Sequence, residues 1–263
     1  MTFEQMPYER VDLQSLVQTY EELTRQMRQA ASAQEAAQVL RRHQQVYEPA
    51  ATMMGLSAIR HTIDTEDPFY TGEEEFYAEN GPALGEKVSG LYRATLESPF
   101  RAELEQQFPP VFFQNAEIDV RTISPDVLGE LEQENKLVME YQKLQGGAQI
   151  EFQGKVLNLS ELSVYKENPD RAVRQAAYAA EGRFYDQHQA EYDSIYDKLV
   201  KVRTQIARKL GFANFVELGY LRMTRNCYDA QDVKVFREEV VREIVPIVQK
   251  MKAEQAARLG VED

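Results

Sequence analysis

Apolar residues Leu13, Leu16, Val17, Tyr20, Leu23 and Met27 recur at three- and four-residue spacing between Asp12 and about Ala30, with polar residues between them. That period predicts an amphipathic helix. Ser32, with Glu35 three residues on, reads as a capping box for a second helix through Ala36, Val39, Leu40 and Val46 towards Tyr47, ending before Pro49. A third helical segment covers roughly Pro49 to Asp64, and a fourth runs from Gly72 with an interruption at Gly81-Pro82. The pattern from Phe112 to Ser124 is less regular. Pro125, followed by Leu128, Leu131, Leu137, Val138 and Tyr141, opens another helix that ends near Gly146-Gly147.

The period then changes. In QIEFQGKVLNL, Ile150 and Phe152 alternate with polar residues, Gln153-Gly154 can turn, and Leu157 and Leu159 alternate again. A two-residue turn pairs Phe152 with Lys155 and Ile150 with Leu157, so the hairpin has an apolar side that must cover something. From Asn168, read as a cap, and Pro169 at the first helical position, no proline recurs before Gly211. One helix of about 40 residues, roughly 60 Å long, fits this stretch. Gly182 is its weak point, and Tyr192, Ile195, Leu199, Val202, Ile206 and Leu210 form one narrow stripe in its second half.

ARKLGFANFVELGY stops this helix and starts another within three residues. Gly211 can take the left-handed conformation that closes a helix, with Phe212 folded back onto Ile206 or Ala207. Asn214 can cap the next helix, with Glu217 reaching back to the Asn214 N–H. A last helix starts near Asp229 or Asp232, uses Phe236, Val240, Ile244, Val248 and Met251, and should kink at Pro246. The predicted fold is therefore mainly α, a multi-helix array with long helices and one short β-hairpin at about 149–159. Two regions are expected: 1–147, an N-terminal helical region, and 148–263, comprising hairpin, long helix and corner.

Composition narrows the functional classes. Of 263 residues, 43% are hydrophobic, enough for a core. Thirty basic against forty-three acidic residues give a net charge of −13, which opposes binding to nucleic acid or an anionic membrane. No stretch approaches the roughly 20 apolar residues that span a bilayer, and the polar start MTFEQMPYER lacks a signal peptide's apolar core, so a cytoplasmic location is expected. The single cysteine, Cys227, excludes an internal disulfide and a cysteine-built zinc site, and is expected to be an ordinary buried or partly buried thiol.

Candidate chemistry is sparse. The histidines are His43, His61 and His188, and no two have the i, i+4 spacing by which a helix chelates zinc. His188-x-x-Glu191 reverses the order of the Glu-x-x-His motif needed by a di-iron bundle, and reads as a solvated helix face, as do His43 and His61. Cys227 has no histidine nearby in sequence, no G-x-S-x-G is present, and the glycines lack nucleotide-loop spacing. The run Glu73 to Glu75 reads as a solvated loop or first-turn face, and the fourteen tyrosines as half-buried packing residues. No complete catalytic constellation results.

Several stretches together nevertheless resemble a known family. IEFQGKVLNLSEL, NPDRAVRQAAY and YDKLVKVRTQIARKLGFANFVELGYLRMTRNCYDAQDVKVFREEVVREIVP are similar to the oligoendopeptidase F branch of the thimet-like zinc oligopeptidases. The matching residues are Asp170, Arg171, Arg174, Arg203, Ala207, Leu210, Gly211, Phe212, Asn214, Tyr220, Arg225, Tyr228, Val233, Val245 and Pro246, and the match is strongest over about 149–246. The resemblance implies a cytoplasmic endopeptidase that cuts short peptides in a channel between helical halves. Its zinc would be held by the histidines of H-E-x-x-H and a downstream glutamate, with the motif's glutamate activating water.

That motif lies in the family beyond the position at which this sequence stops, so no catalytic or metal-binding residue carries over, and the residues that would contact substrate are unknown. The chain is thus expected to be the N-terminal portion of such an enzyme, inactive and zinc-free alone. Its partners would be the C-terminal catalytic half, short peptides through the whole enzyme, and further copies of itself. The alternatives are a stand-alone helical scaffold or interaction protein, and a metal-oxidation bundle, which the lack of Glu-x-x-His motifs disfavours. Under the first reading an apolar surface should be exposed where the catalytic half packs, with the Tyr192 to Leu210 stripe and the kinked last helix as candidates.

Overall fold

The computed structural model describes residues 2–261. Helices α1 (Leu13–Gln29), α2 (Ala33–Ile63), α3 (Pro68–Leu96), α4 (Arg101–Leu104), α5 (Pro110–Asp119) and α6 (Leu128–Gly146) precede a hairpin of β1 (Ile150–Phe152) and β2 (Lys155–Leu157). After it come α7 (Leu159–Ser163), α8 (Arg171–Lys209), α9 (Phe215–Arg222), α10 (Ala230–Glu239) and α11 (Val245–Leu259). The fold is mainly α. Helix α3 is the hub, packing against α1, α2, α5 and α6, and α6 in turn packs along α8.

Local signals explain most boundaries. Asp12 caps α1 by accepting from the Ser15 N–H, and Ser32 caps α2 by accepting from the Glu35 N–H. The Glu35 carboxylate accepts from the Ala31 N–H instead of the Ser32 N–H, so the expected capping box is displaced by one residue. The first core joins Tyr20, Leu23 and Met27 of α1 to Leu40 of α2 and Leu91 of α3. Each such fully buried side chain contributes about 1.5–3 kcal/mol of hydrophobic stabilisation.

Two prolines expected to interrupt helices do not. Pro49 lies inside α2, whose burial continues from Ala36, Leu40 and His43 to Leu56 and His61. The carbonyl it leaves without an amide belongs to Gln45, which is exposed and open to water. Pro82 lies inside α3, and its missing N–H would have bonded the carbonyl of buried Ala78. Asn135 of α6 takes that place, donating from Nδ2 to Ala78 O at 3.1 Å. A further departure is α5, an ordered helix in the stretch read as irregular.

The hairpin has the expected register, Ile150 opposite Leu157 and Phe152 opposite Lys155. Gln153 (φ 48°) and Gly154 (φ 74°) are both left-handed, as a tight two-residue turn requires. Its buried side, Ile150, Phe152 and Leu157, covers Ala177, Ala180 and Phe184 at the start of α8. That helix is continuous through Gly182, but its cap is Asp170, accepting from the Ala172 N–H. Asn168 instead accepts from the Asp170 N–H, which leaves Pro169 ahead of the helix.

Candidate functional site

The corner after α8 is built from its backbone. Gly211 has φ 87°, and the Phe212 N–H reaches back to Ala207 O at 2.9 Å, which closes the helix with a six-residue bond. Asn214 then caps α9 by accepting from the Val216 N–H at 2.8 Å. Glu217 does not return to Asn214. Its carboxylate accepts from Arg121 at 3.2 Å, so it ties the corner to the chain that follows α5.

Beneath the corner lies a carboxylate that sequence reasoning did not single out. Glu134 is 4% exposed and accepts from Arg203 Nε at 2.7 Å and from an Arg222 Nη at 2.8 Å. Both guanidinium groups also lie over the Phe215 ring. One carboxylate therefore fixes α6, α8 and α9 to one another, around the apolar cluster of Leu131, Leu137, Val202, Ile206 and Leu218. A signal existed, since Leu131, Glu134 and Leu137 share one helical stripe.

The run Glu73 to Glu75 departs from the solvated face expected of it. Glu73 is 1% exposed, accepts from Arg10 Nε at 2.9 Å, and also accepts from the Tyr8 hydroxyl. Tyr77 completes the group, standing 3.1 Å from Tyr8 and accepting from the Val11 N–H at 3.0 Å. The Arg10 guanidinium holds the Glu73 carboxyl below its ordinary value, while burial raises that of the Tyr8 phenol. Glu74 accepts from Ser57 Oγ at 2.7 Å, and only Glu75 is exposed, beside Lys143. With Arg60 donating to Met6 O at 2.7 Å, these bonds strap residues 3–11 across α2 and α3.

His43 and His61 are likewise core residues, against expectation. His43 lies between the Tyr20 hydroxyl, 2.9 Å from Nδ1, and the Tyr92 hydroxyl, 3.3 Å from Nε2, and burial lowers its pKa. His61 is 1% exposed. His188 is half-buried, with Nδ1 3.3 Å from Glu191. Cys227 is exposed, which corrects the expectation of a buried or partly buried thiol: it lies between α9 and α10, where little packs.

Two apolar surfaces remain uncovered. The Tyr192 to Leu210 stripe is largely covered by α6, which buries Ile195, Val202 and Ile206, so as a whole it is not the open face that was expected. Its beginning stays open as a groove of about 560 Å³ between Val138 and Tyr141 of α6 and Tyr192, Tyr196 and Leu199 of α8. The second surface is the α10–α11 arm. Asp229 starts it, accepting from the Gln231 and Asp232 N–H groups. Ahead of Pro246 the helix widens into a π turn over Val240–Ile244, where the Val245 N–H bonds Val240 O. No residue of these segments is buried, and Phe236, Ile244, Ile247 and Met251 are each at least half exposed.

Among the described residues no group of three or more His, Cys, Asp or Glu side chains could hold a metal ion, and no helix is long and apolar enough to cross a membrane. The donors present do not fit a zinc site: two of the three histidines are buried in packing and the third pairs with a glutamate on its own helix.

The helical array and its interlocked corner define a class. Residues 3–123 match the peptidase M3 N-terminal domain. Over its full length it is similar to a solved oligoendopeptidase F structure, with 42% identity and a TM-score of 0.95, of which it covers 46%. It is also similar to an oligoendopeptidase F from Bacillus anthracis str. Ames, at 38% identity and TM-score 0.95, covering 48% of that chain. A structure of PZ peptidase A with an inhibitor aligns at 41% identity and TM-score 0.96, with 47% of it covered. The chain thus spans about half the length of these relatives. No curated protein matches it significantly.

Proposed function

We propose that this chain is the N-terminal, scaffolding portion of a zinc-dependent oligoendopeptidase that hydrolyses short peptides in the cytoplasm. In the whole enzyme it forms part of the wall of the peptide channel, and the zinc and its ligands belong to the complementary portion. The observation that carries this reading is the full-length similarity to oligoendopeptidase F at 38% to 42% identity, covering 46% to 48% of those chains. The uncovered α10–α11 arm supports it, because exposed apolar side chains concentrated on one segment mark a protein interface. The arm and the tyrosine groove beside α8 are the faces offered to the catalytic portion.

The test is complementation. The 263-residue chain is mixed or co-expressed with the complementary C-terminal half of an oligoendopeptidase F. Association by analytical ultracentrifugation and cleavage of a quenched fluorescent peptide are then followed. The expected result is a one-to-one complex that cleaves peptide, with neither cleavage nor stoichiometric zinc for this chain alone. Cleavage with bound zinc by this chain alone would overturn the assignment, as would failure of the two portions to associate.

A further inference from the structure

A cleft of about 570 Å³ lies between α2, α3, α5 and the end of α9. Tyr47, Tyr92, Phe112, Asn115, Asp119 and Arg222 contribute to its lining. The aromatic part is pre-arranged. Tyr92 meets Phe112 edge-on at 5.8 Å, and the Tyr92 hydroxyl is held 3.3 Å from His43 Nε2.

Asp119 is the anomaly. Its buried Oδ1 has only the neighbouring Ser89 hydroxyl to turn to, and among the described residues no cation pairs with the carboxylate. The neighbouring arginines are engaged elsewhere: Arg93 donates to Val120 O at 3.4 Å, Arg121 pairs with Glu217 at 3.2 Å, and Arg222 pairs with Glu134 at 2.8 Å. Asn115 is also occupied, accepting from Asn226 at 2.6 Å. Burial raises the Asp119 pKa and the Ser89 hydroxyl offsets this only in part, which is the cost of holding a carboxylate there without a cation. The other buried carboxylates, Glu73 and Glu134, each have an arginine. An acid kept unpaired beside aromatic rings is suited to a cation brought from outside.

We propose that this cleft binds an organic cation, an alkylammonium group of the kind carried by a lysine side chain or a peptide N-terminus, held by Asp119 among the rings of Tyr47, Tyr92 and Phe112. The carboxylate supplies charge-assisted hydrogen bonds to the ammonium, and the rings supply cation–π attraction and exclude water. Arg222, which also lines the cleft, is held by Glu134, the acceptor that it shares with Arg203. The assignment does not rest on the peptidase reading and stands or falls with the cleft itself.

Isothermal titration at neutral pH decides it, with four probes: n-butylammonium, Nα-acetyl-lysinamide with only a side-chain amine, norleucinamide with only an α-amine, and neutral Nα-acetyl-norleucinamide. Saturable binding of at least one cationic probe is expected, with the neutral probe silent, and the two amino-acid probes show which source of ammonium the cleft prefers. Asp119→Asn should weaken binding about tenfold or more through loss of the charge-assisted bond. The same variant should melt at a higher temperature than wild type without ligand, because it removes an unpaired buried charge. Tyr47→Leu, at a partly exposed wall position, should weaken binding several-fold and so tests the cleft independently. Absence of saturable binding by wild type, equal binding of the neutral probe, or unchanged affinity in both variants would overturn the proposal.

Discussion

Asn135→Ala offers a test of how α3 tolerates a proline in its middle. In the native protein the side chain donates at 3.1 Å to the carbonyl of Ala78, the acceptor that Pro82 cannot serve. Removing the donor orphans a carbonyl on a residue that is 8% exposed. An unsatisfied buried polar group costs about 1–3 kcal/mol, and since Asn135 itself is only part-buried the lower half of that range applies, about 1–2 kcal/mol. For a chain of this size that is a fall in melting temperature of about 2–8 °C.

The informative step repeats the substitution on a Pro82→Ala background, where residue 82 regains an N–H and can bond Ala78 O within the helix. There Asn135→Ala should cost about 0.5 kcal/mol or less, a coupling of about 1 kcal/mol between residues 53 positions apart in sequence. Urea denaturation of the four proteins, read by far-ultraviolet circular dichroism, measures it. The cycle removes the packing cost of Pro82→Ala, which is common to both of its arms. If Asn135→Ala costs the same on both backgrounds, within about 0.3 kcal/mol, the side chain is not substituting for the missing amide and the account of α3 is wrong.

Other consequences can be measured on the same chain. Glu134→Ala leaves Arg203 and Arg222 without their shared acceptor and should destabilise by about 2–3 kcal/mol in chemical denaturation, less than for fully buried arginines because both are about a third exposed. The folded-state pKa of Glu73 is depressed by Arg10, so its contribution is present above the unfolded carboxylate's pKa and is lost as pH falls through the folded one. Glu73→Gln should therefore reduce stability at neutral pH and flatten the loss of stability on acidification, as followed by melting temperature against pH. Gly211→Ala meets no atom within 4 Å of the new Cβ but holds alanine at φ 87°, so backbone strain alone should cost about 1–2 kcal/mol in the same assay. Amide hydrogen exchange should be fast across α10–α11, which bury no residue, and slow across α1 and α3; protection of the arm equal to that of α3 in the isolated chain would contradict its being uncovered.

Elements specified by neighbouring residues were legible in the sequence. The Ser32 cap, the Gln153-Gly154 turn with its register, and the Gly211 stop depend on bonds that span a few residues. What could not be read depends on distant partners. Whether Pro82 breaks α3 is decided by Asn135, on another helix, and whether Glu73 is solvated is decided by Arg10 and Tyr8, more than sixty positions earlier. Pro49 shows the opposite solution, in which exposure of Gln45 makes a partner unnecessary. Candidate chemistry divides in the same way. The absence of a zinc motif is a statement about spacing, while the unpaired state of Asp119 depends on what every surrounding arginine is already bonded to.

The pattern of satisfied and unsatisfied groups bears on function as well as stability. Inside the body, buried polar groups that need a partner mostly have one from another element: Glu73 from the N-terminal strap, Glu134 from α8 and α9, the Ala78 carbonyl from α6. Apolar exposure is distributed differently. Phe236, Val240, Ile244, Ile247 and Met251 follow one another at spacings of three or four, the period of a helix face that meets a partner, yet Phe236, Ile244, Ile247 and Met251 are at least half exposed. A helix needing no partner would carry polar residues on that face, because solvent gives no return for apolar side chains. The π turn and Pro246 act in the middle of this stretch, redirecting the face without ending the helix. The arm therefore presents an apolar face that α1–α9 leave uncovered, and under the proposed function the half of each relative's length that this chain does not span is where to search for its cover.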